Sequence, residues 1–220
     1  MIRKMTDNNF VFIDNIYRSR MTLLDILEER GYEVDKYRKF SPAEATAAAP
    51  NFTSLSFKVN KKNDETKQCD IRYANVGRQK LETFFNDISD EDCENVEVVV
   101  MIPGLVTDVH HIIALKQYMK LKENKDNERR KLRVSFFSIS MLVVNPLHHV
   151  LVPKHELIPS EKHKELMDSM YITSKSKFPE IKFHVDPIAR CIGAVPGDIV
   201  KITRYSASSG ESIIYRVCSP

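Results

Sequence analysis

The tightest constraint on this chain lies in its last third, the run from His149 to Arg216. Pro153, Pro179, Pro187 and Pro196 each fix φ near about −65°. Gly193, Gly197 and Gly210 admit backbone conformations that a Cβ disfavours. Between these turns stand IVKITRY (199–205) and SIIYRV (212–217), apolar runs rich in β-branched and aromatic residues that predict strands. Short strands with so many fixed corners make a small, rigid sheet. The segment brings together no nucleophile, base and orienting group, and it has no glycine-rich phosphate loop. Its residue types therefore describe a docking module rather than a reactive pocket.

Order and spacing within this run are specific: His149 followed by LVPKH (151–155), FPEI (178–181), DPIAR (186–190), Gly193, PGDIVKI (196–202), Arg204, SGES (209–212), then Tyr215 and Arg216. Along nearly its whole length the segment resembles the C-terminal assembly domain of the fifth common subunit of eukaryotic nuclear RNA polymerases, a family that includes a shorter archaeal counterpart. Farther upstream, SRMTLLDILEERGYEV (19–34) resembles the helix that opens the family's N-terminal jaw domain, and MLVVNPLHHVLVPKH (141–155) resembles the junction between the two domains. Archaeal members have only the C-terminal module, so a jaw marks a eukaryotic-type architecture. GAVPGD (193–198) and SGES nonetheless read more like the archaeal version, and Cys191 stands where members often carry an aromatic. The mixture points to a divergent lineage, with a large DNA virus as one candidate source.

The 220 residues, 42% hydrophobic and 29% charged, suit one or two soluble domains with cores of their own. No stretch of eighteen apolar residues occurs and the opening residues offer no apolar signal core, so neither secretion nor a membrane span is expected. Cys69, Cys93, Cys191 and Cys218 are scattered without a CxxC pair, which predicts free thiols rather than zinc. Net charge is only +3 and divides evenly, with ten basic against eight acidic residues from Asn145 onward. No domain-wide basic face follows. One tract is locally basic: Lys116, Lys120, Lys122, Lys125, Arg129, Arg130, Lys131 and Arg133 against Glu123, Asp126 and Glu128. It reads either as a solvated helix end or as a phosphate-facing patch.

The first 140 residues read as an α/β domain. Phe12, Ile16, Leu23, Leu24 and Leu27 fall at helical spacing within Phe10 to Arg30, closed by Gly31. SLSFKV (54–59) and CDIRYANV (69–76) predict a hairpin across the charged turn KKNDETK (61–67). A short helix over 80–88, a buried strand VEVVVMI (96–102), a helix over 107–119 capped by Thr107, and a strand LRVSFFSI (132–139) complete a mixed sheet with flanking helices. The expected fold is α+β overall: an N-terminal α/β jaw over 1–144 and a small C-terminal α+β assembly domain over 145–220.

The resemblance implies a non-catalytic subunit of a DNA-directed RNA polymerase, one copy per hetero-oligomeric complex. It would bind the largest subunit and other polymerase subunits through the C-terminal domain, with the jaw beside downstream DNA in weak, non-specific contact. No cofactor, metal or membrane is implied. The expected location is the nucleus, or a cytoplasmic viral factory and virion for a viral copy. Candidate interface residues are His149, Val152, Pro153, His155, Asp186, Pro187, Arg190, Gly193, Gly197, Arg204, Tyr215 and Arg216. Internal bracing is the competing reading: Asp186 or Asp198 could pair with a neighbouring arginine, and turn geometry alone accounts for Pro187, Gly193 and Gly197. In the jaw, the family's loop and helix near DNA correspond to GLVTDVHHIIALKQ (104–117), with Thr107, His110 and Lys116 as the DNA-proximal candidates. This stretch departs from the family's Thr-Pro-Ser-Ala by placing Asp108, Val109 and His110 after Thr107, which puts direct DNA contact in doubt.

Two rivals from other classes remain. A restriction-type nuclease needs an Asp/Glu-x-Lys triplet at a strand end, and only Glu65–Lys67 and Glu180–Lys182 match. Both sit in the wrong context, and His148, His149 and His155 have no carboxylate or cysteine at ligand spacing. A free-standing nucleic-acid adaptor would need the basic tract to bind DNA unaided.

Overall fold

A computed structural model describes residues 2–77, 80–121 and 128–220, leaving aside the side chains of 2–9 and 65. The chain is α+β, with two mixed four-stranded sheets. It divides into two compact units, Met1–Asn145 and Pro146–Pro220.

The first unit opens with α1 (Ile2–Glu29). Ile16, Ser19, Arg20, Leu23, Leu24 and Leu27 are all buried, the i, i+3, i+4, i+7 stripe of a helix packed on one side. The helix starts eight residues before the expected Phe10. Ile2–Asn9 carries no apolar periodicity to announce it, and no proline or glycine to stop it. At the other end Tyr32 N–H bonds Leu27 O (3.0 Å) and Gly31 N–H bonds Glu28 O (2.8 Å), with Gly31 at φ 86° in the left-handed cap position.

The sheet runs β1 (Phe57–Lys61), β2 (Asp64–Tyr73), β3 (Val96–Ile102), β4 (Arg133–Ser138) in that spatial order. β1 and β2 form an antiparallel hairpin, while β2, β3 and β4 are parallel. β3 is buried from Glu97 to Ile102, as a central strand covered on both faces must be. The short α2 (Pro42–Ala48) is capped reciprocally by Ser41 and Glu44, and α3 (Asp108–Met119) packs along β4.

Two local expectations fail for identifiable reasons. Residues 52–55 form a 3₁₀ turn rather than the start of a strand. Its carbonyl Leu55 O accepts a 2.7 Å hydrogen bond from Arg20 Nη1, whose buried guanidinium lies 4.4 Å from the Phe40 ring centre and 4.1 Å from that of Phe57. Residues 80–88 form successive turns rather than a helix. Phe84 O, which a helix would offer to Ile88 N–H, accepts from Arg72 instead, and Phe85 O and Ile88 O accept from Arg130.

A buried polar cluster joins the end of α1 to the central strand. Glu97 of β3 pairs with Arg30 and accepts a 3.0 Å hydrogen bond from the Tyr32 hydroxyl. Burial, followed by the Glu97 charge, pushes the Tyr32 phenol far above its ordinary range.

The second unit is a sheet ordered β5 (Lys154–Ile158), β7 (Ile199–Ser206), β8 (Gly210–Ser219), β6 (Glu180–Lys182). Only β6 and β8 are parallel. Phe178, Ile199 and Val217 form a core against which Leu166 and Met167 of α4 (His163–Ser169) pack. α5 (Pro187–Ile192) packs along β5.

Truncating Glu97 removes the carboxylate that Arg30 and Tyr32 both address. Glu97→Ala is expected to cost about 3–5 kcal/mol in urea unfolding of the full chain. Tyr32→Phe is expected to cost only about 1 kcal/mol. A Glu97→Ala loss below about 1 kcal/mol would remove this cluster from the determinants of the first unit.

Candidate functional site

α5 is six residues long and far too short to persist alone, so its two ends must hold it. Asp186 Oδ1 accepts from Ile188 N–H (2.8 Å) and Ala189 N–H (3.0 Å), and Pro187 occupies the first helical position with its preset φ. Gly193 closes the helix at φ 73°, and Ala194 N–H reaches Ala189 O at 3.0 Å. Asp198 acts similarly one turn later: its Oδ2 accepts from Val195 N–H (3.0 Å), while Gly197 at φ 95° turns the chain into β7. Both aspartates thus brace backbone N–H groups, which is internal bracing of a different kind from the arginine pairing considered above. Arg190 is buried, and burial pulls its pKa down while Cys191 and Asp186 oppose the fall.

The remaining interface candidates do not share one patch. Tyr215 and Arg216 are neighbours on β8 and so point to opposite faces. Tyr215 packs on the Phe178 core, whereas Arg216 Nη1 donates to Glu180 O at 2.8 Å. Arg204 is exposed on β7 beyond the end of its pairing with β5. His149 is exposed, and its Nδ1 accepts from Leu151 N–H at 3.2 Å. Val152, Pro153 and His155 are half-buried, with His155 Nδ1 donating to Pro153 O at 2.6 Å.

Two features escaped the sequence reading. Val150 and Leu151, inside the family-like motif, are 92% and 82% exposed, whereas Val152, Pro153 and His155 beside them are half-buried. The available signal was charge: no Lys, Arg, Asp or Glu occurs from Val134 to Pro153. The second is a clasp around buried His163, whose Nε2–H donates to Ile158 O (2.9 Å) while its Nδ1 accepts from Lys175 Nζ (2.8 Å). Lys175 Nζ also donates to Gly197 O at 2.7 Å, tying the segment after α4 to the turn before β7.

In the first unit, Thr107 and His110 occupy each other. His110 Nδ1 accepts from Thr107 N–H at 3.0 Å and lies 2.9 Å from Thr107 Oγ1, so the imidazole performs the return half of a capping box. Its ring stands 4.9 Å from that of Phe136, and burial lowers its pKa. Lys116 pairs with Glu82 at 2.9 Å. Within the basic tract Arg130 is buried: Nε meets Asp90 Oδ1 (2.9 Å) and Cys93 Sγ (2.9 Å), and Nη1 donates to Gln117 Oε1 (3.0 Å). Lys131 approaches Glu94 at 3.9 Å, and Arg129 donates to Met119 Sδ. Lys122, Glu123, Lys125 and Asp126 lie outside the described residues.

All four cysteines are free and buried. Burial pushes the thiols of Cys69 and Cys93 up, and that of Cys218 to about 12. Among the described residues no group of three or more His, Cys, Asp and Glu is placed to hold a metal ion. Glu180 and Lys182 pair with each other at 3.1 Å on the three-residue β6, and the side chain of Glu65 lies outside the described residues. Among the described residues, no helix is long and apolar enough to cross a membrane.

The profile of the RNA polymerase Rpb5 C-terminal domain matches residues 144–218. An archaeal relative, the DNA-directed RNA polymerase subunit Rpo5 of Archaeoglobus fulgidus, is 54% identical over 69 residues, covering 88% of that protein and 31% of this chain. The chain belongs to the Rpb5 family. Similarity to longer Rpb5-family proteins extends through the first unit. The subunit rpabc1 of DNA-directed RNA polymerases I, II and III from Dictyostelium discoideum is 28% identical over 209 residues, 94% of this chain and 98% of that one. RPABC1 of Caenorhabditis elegans is 25% identical over 214 residues, 92% of this chain and 94% of that one. Members of the Rpb5 family are accessory rather than catalytic polymerase subunits, and this chain is one of them.

Two measurements check this geometry. Asp186→Ala releases two backbone donors at once and is expected to cost about 1–2 kcal/mol in chemical denaturation, whereas Asp186→Asn should retain most of the cap. His110 must stay neutral to accept from Thr107, so its contribution is fully present above the unfolded value of about 6.5. It is lost as pH falls through the lowered folded value. The melting temperature should therefore fall between pH 7.5 and 5 by more in the wild type than in His110→Gln, whose amide accepts without titrating; equal falls would discard the cap.

Proposed function

We propose that this polymerase subunit docks on the largest subunit of its polymerase through Pro146–Pro220 and carries Met1–Asn145 as a jaw beside downstream DNA. The observation that carries the docking half is the density of local locks in the second unit. The Asp186 cap, the Asp198 brace, the left-handed Gly193 and Gly197, and the Lys175–His163 clasp hold its loops before any partner arrives. Loops already ordered lose little conformational entropy on association, so more of the contact energy remains as affinity. His149, Pro153, Arg204 and the α5 end are the surface elements this reading assigns to the interface. Arg190 and Tyr215 act from beneath by holding that surface in shape.

The jaw's contact with DNA is by proximity, without base readout. Thr107 and His110 satisfy each other, Asp108 opens α3 with a negative charge, and Lys116 is paired with Glu82. What remains is weak phosphate attraction, steeply dependent on salt. The same pairings count against a free-standing nucleic-acid adaptor, because much of the described basic tract is engaged internally. The nucleus, or a viral factory for a viral copy, is the compartment this reading implies.

Cross-linking of the purified polymerase, read by mass spectrometry, tests the proposal. Lys154, Lys182 and Lys201 are expected to link to the largest subunit, while photoreactive downstream DNA should label only the first unit. Links from those three lysines exclusively to other chains, or DNA labelling of the second unit alone, would overturn it.

A further inference from the structure

We infer that the turn His149–Pro153 is an apolar plug, with Val150 and Leu151 as its tip, seated in an apolar pocket of a neighbouring polymerase subunit. This rests on the docking reading above and names the residues that anchor it.

Exposure is the first ground. Val150 is 92% and Leu151 82% exposed, adjacent in sequence, so their contribution to the fold of the chain by packing is small. Single exposed aliphatics are ordinary on protein surfaces; two together at the tip of one turn are not.

The second ground is rigidity. Val152 N–H bonds His149 O (2.8 Å), closing the turn, and His149 Nδ1 accepts from Leu151 N–H at 3.2 Å. Pro153 then fixes the exit, and its carbonyl accepts from His155 Nδ1 at 2.6 Å as the chain enters β5. Both histidine rings are thus used to hold backbone. The turn presents its two side chains in one conformation, which lowers the entropy lost on insertion.

Chemistry of the occupant is the third ground. The turn His149–Pro153 itself holds no Lys, Arg, Asp or Glu, and Lys154, which follows it, pairs with Glu156 at 2.7 Å. A membrane surface or a nucleic acid would be met by a cluster of unpaired cations, whereas the adjoining Lys154 is paired with Glu156. A dry, uncharged pocket on a protein matches an uncharged aliphatic pair. Membership of a family of polymerase subunits makes another subunit of that complex the partner of choice over a second copy of this chain.

The test is capture of polymerase subunits by the full tagged chain at limiting concentration, with bound chains quantified by mass spectrometry. Wild type is compared with Leu151→Asp, Val150→Ser/Leu151→Ser, and Tyr171→Ser as a control at a residue 94% exposed elsewhere in the second unit. The plug variants should recover the large subunits at least about tenfold less well than wild type, since two aliphatic side chains lose their burial. Tyr171→Ser should match wild type. Melting curves of the free variants should overlay wild type, because side chains this exposed support no core; a large drop would itself contradict the inference. Wild-type recovery with equal recovery by both plug variants would overturn the plug while leaving the docking reading intact. Recovery of no polymerase subunit by wild type would sink the docking reading and the plug together. Sizing by light scattering adds the remaining outcome: a wild-type dimer that Leu151→Asp converts to monomer would make a second copy the occupant and overturn the inference.

Discussion

Burial of the Arg130 guanidinium ties the 80–93 segment of the first unit to α3. A guanidinium keeps its charge under all physiological conditions, so placing it inside a protein costs several kcal/mol unless its donors are met. Asp90 supplies the opposing charge, Phe85, Ile88 and Cys93 of the same 80–93 segment supply acceptors, and Gln117 of α3 adds another. Satisfying this one group holds the 80–93 segment against α3 and removes a cation from the tract that looked able to face phosphate. One contact thus shapes both the local fold and the charge that the surface presents.

The second unit is organised by different means. A unit of this size buries only a modest core, including Phe178, Phe183, Ile188, Ile199, Val200 and Val217, and local geometry adds to it. Each proline and positive-φ glycine reduces the freedom of the unfolded chain, and each aspartate cap meets backbone donors that a six-residue helix cannot. The same locks serve association, since a surface that is already ordered has little left to lose. Stability and docking therefore draw on one set of residues, and separating them requires variants at side chains that only the surface uses.

The two units are specified in different ways. A fold held by positive-φ glycines, prolines and caps, as in the second unit, restricts residue type at fixed positions. A fold held by helix stripes and buried strands, as in the first, requires only the right pattern of apolar volume.

The sequence alone determined the family, the α+β class, the strands 96–102 and 132–139, the Gly31 helix end and the turn residues of the second unit. These are local signals, in which periodicity, proline and a left-handed glycine act over a few residues. Tertiary structure decided what depends on contacts between distant segments. Arg20 sits on the apolar stripe of α1 because Phe40 and Phe57 enclose it. Residues 80–88 are turns, with Phe84 O held by Arg72 and Ile88 O by Arg130. His110 is a cap rather than a free cation because Thr107 folds back onto it. Val150 and Leu151 stand outside the core although their type suggests the reverse. Hydrophobicity states only what a side chain avoids, and the cover available to it is set by the rest of the fold.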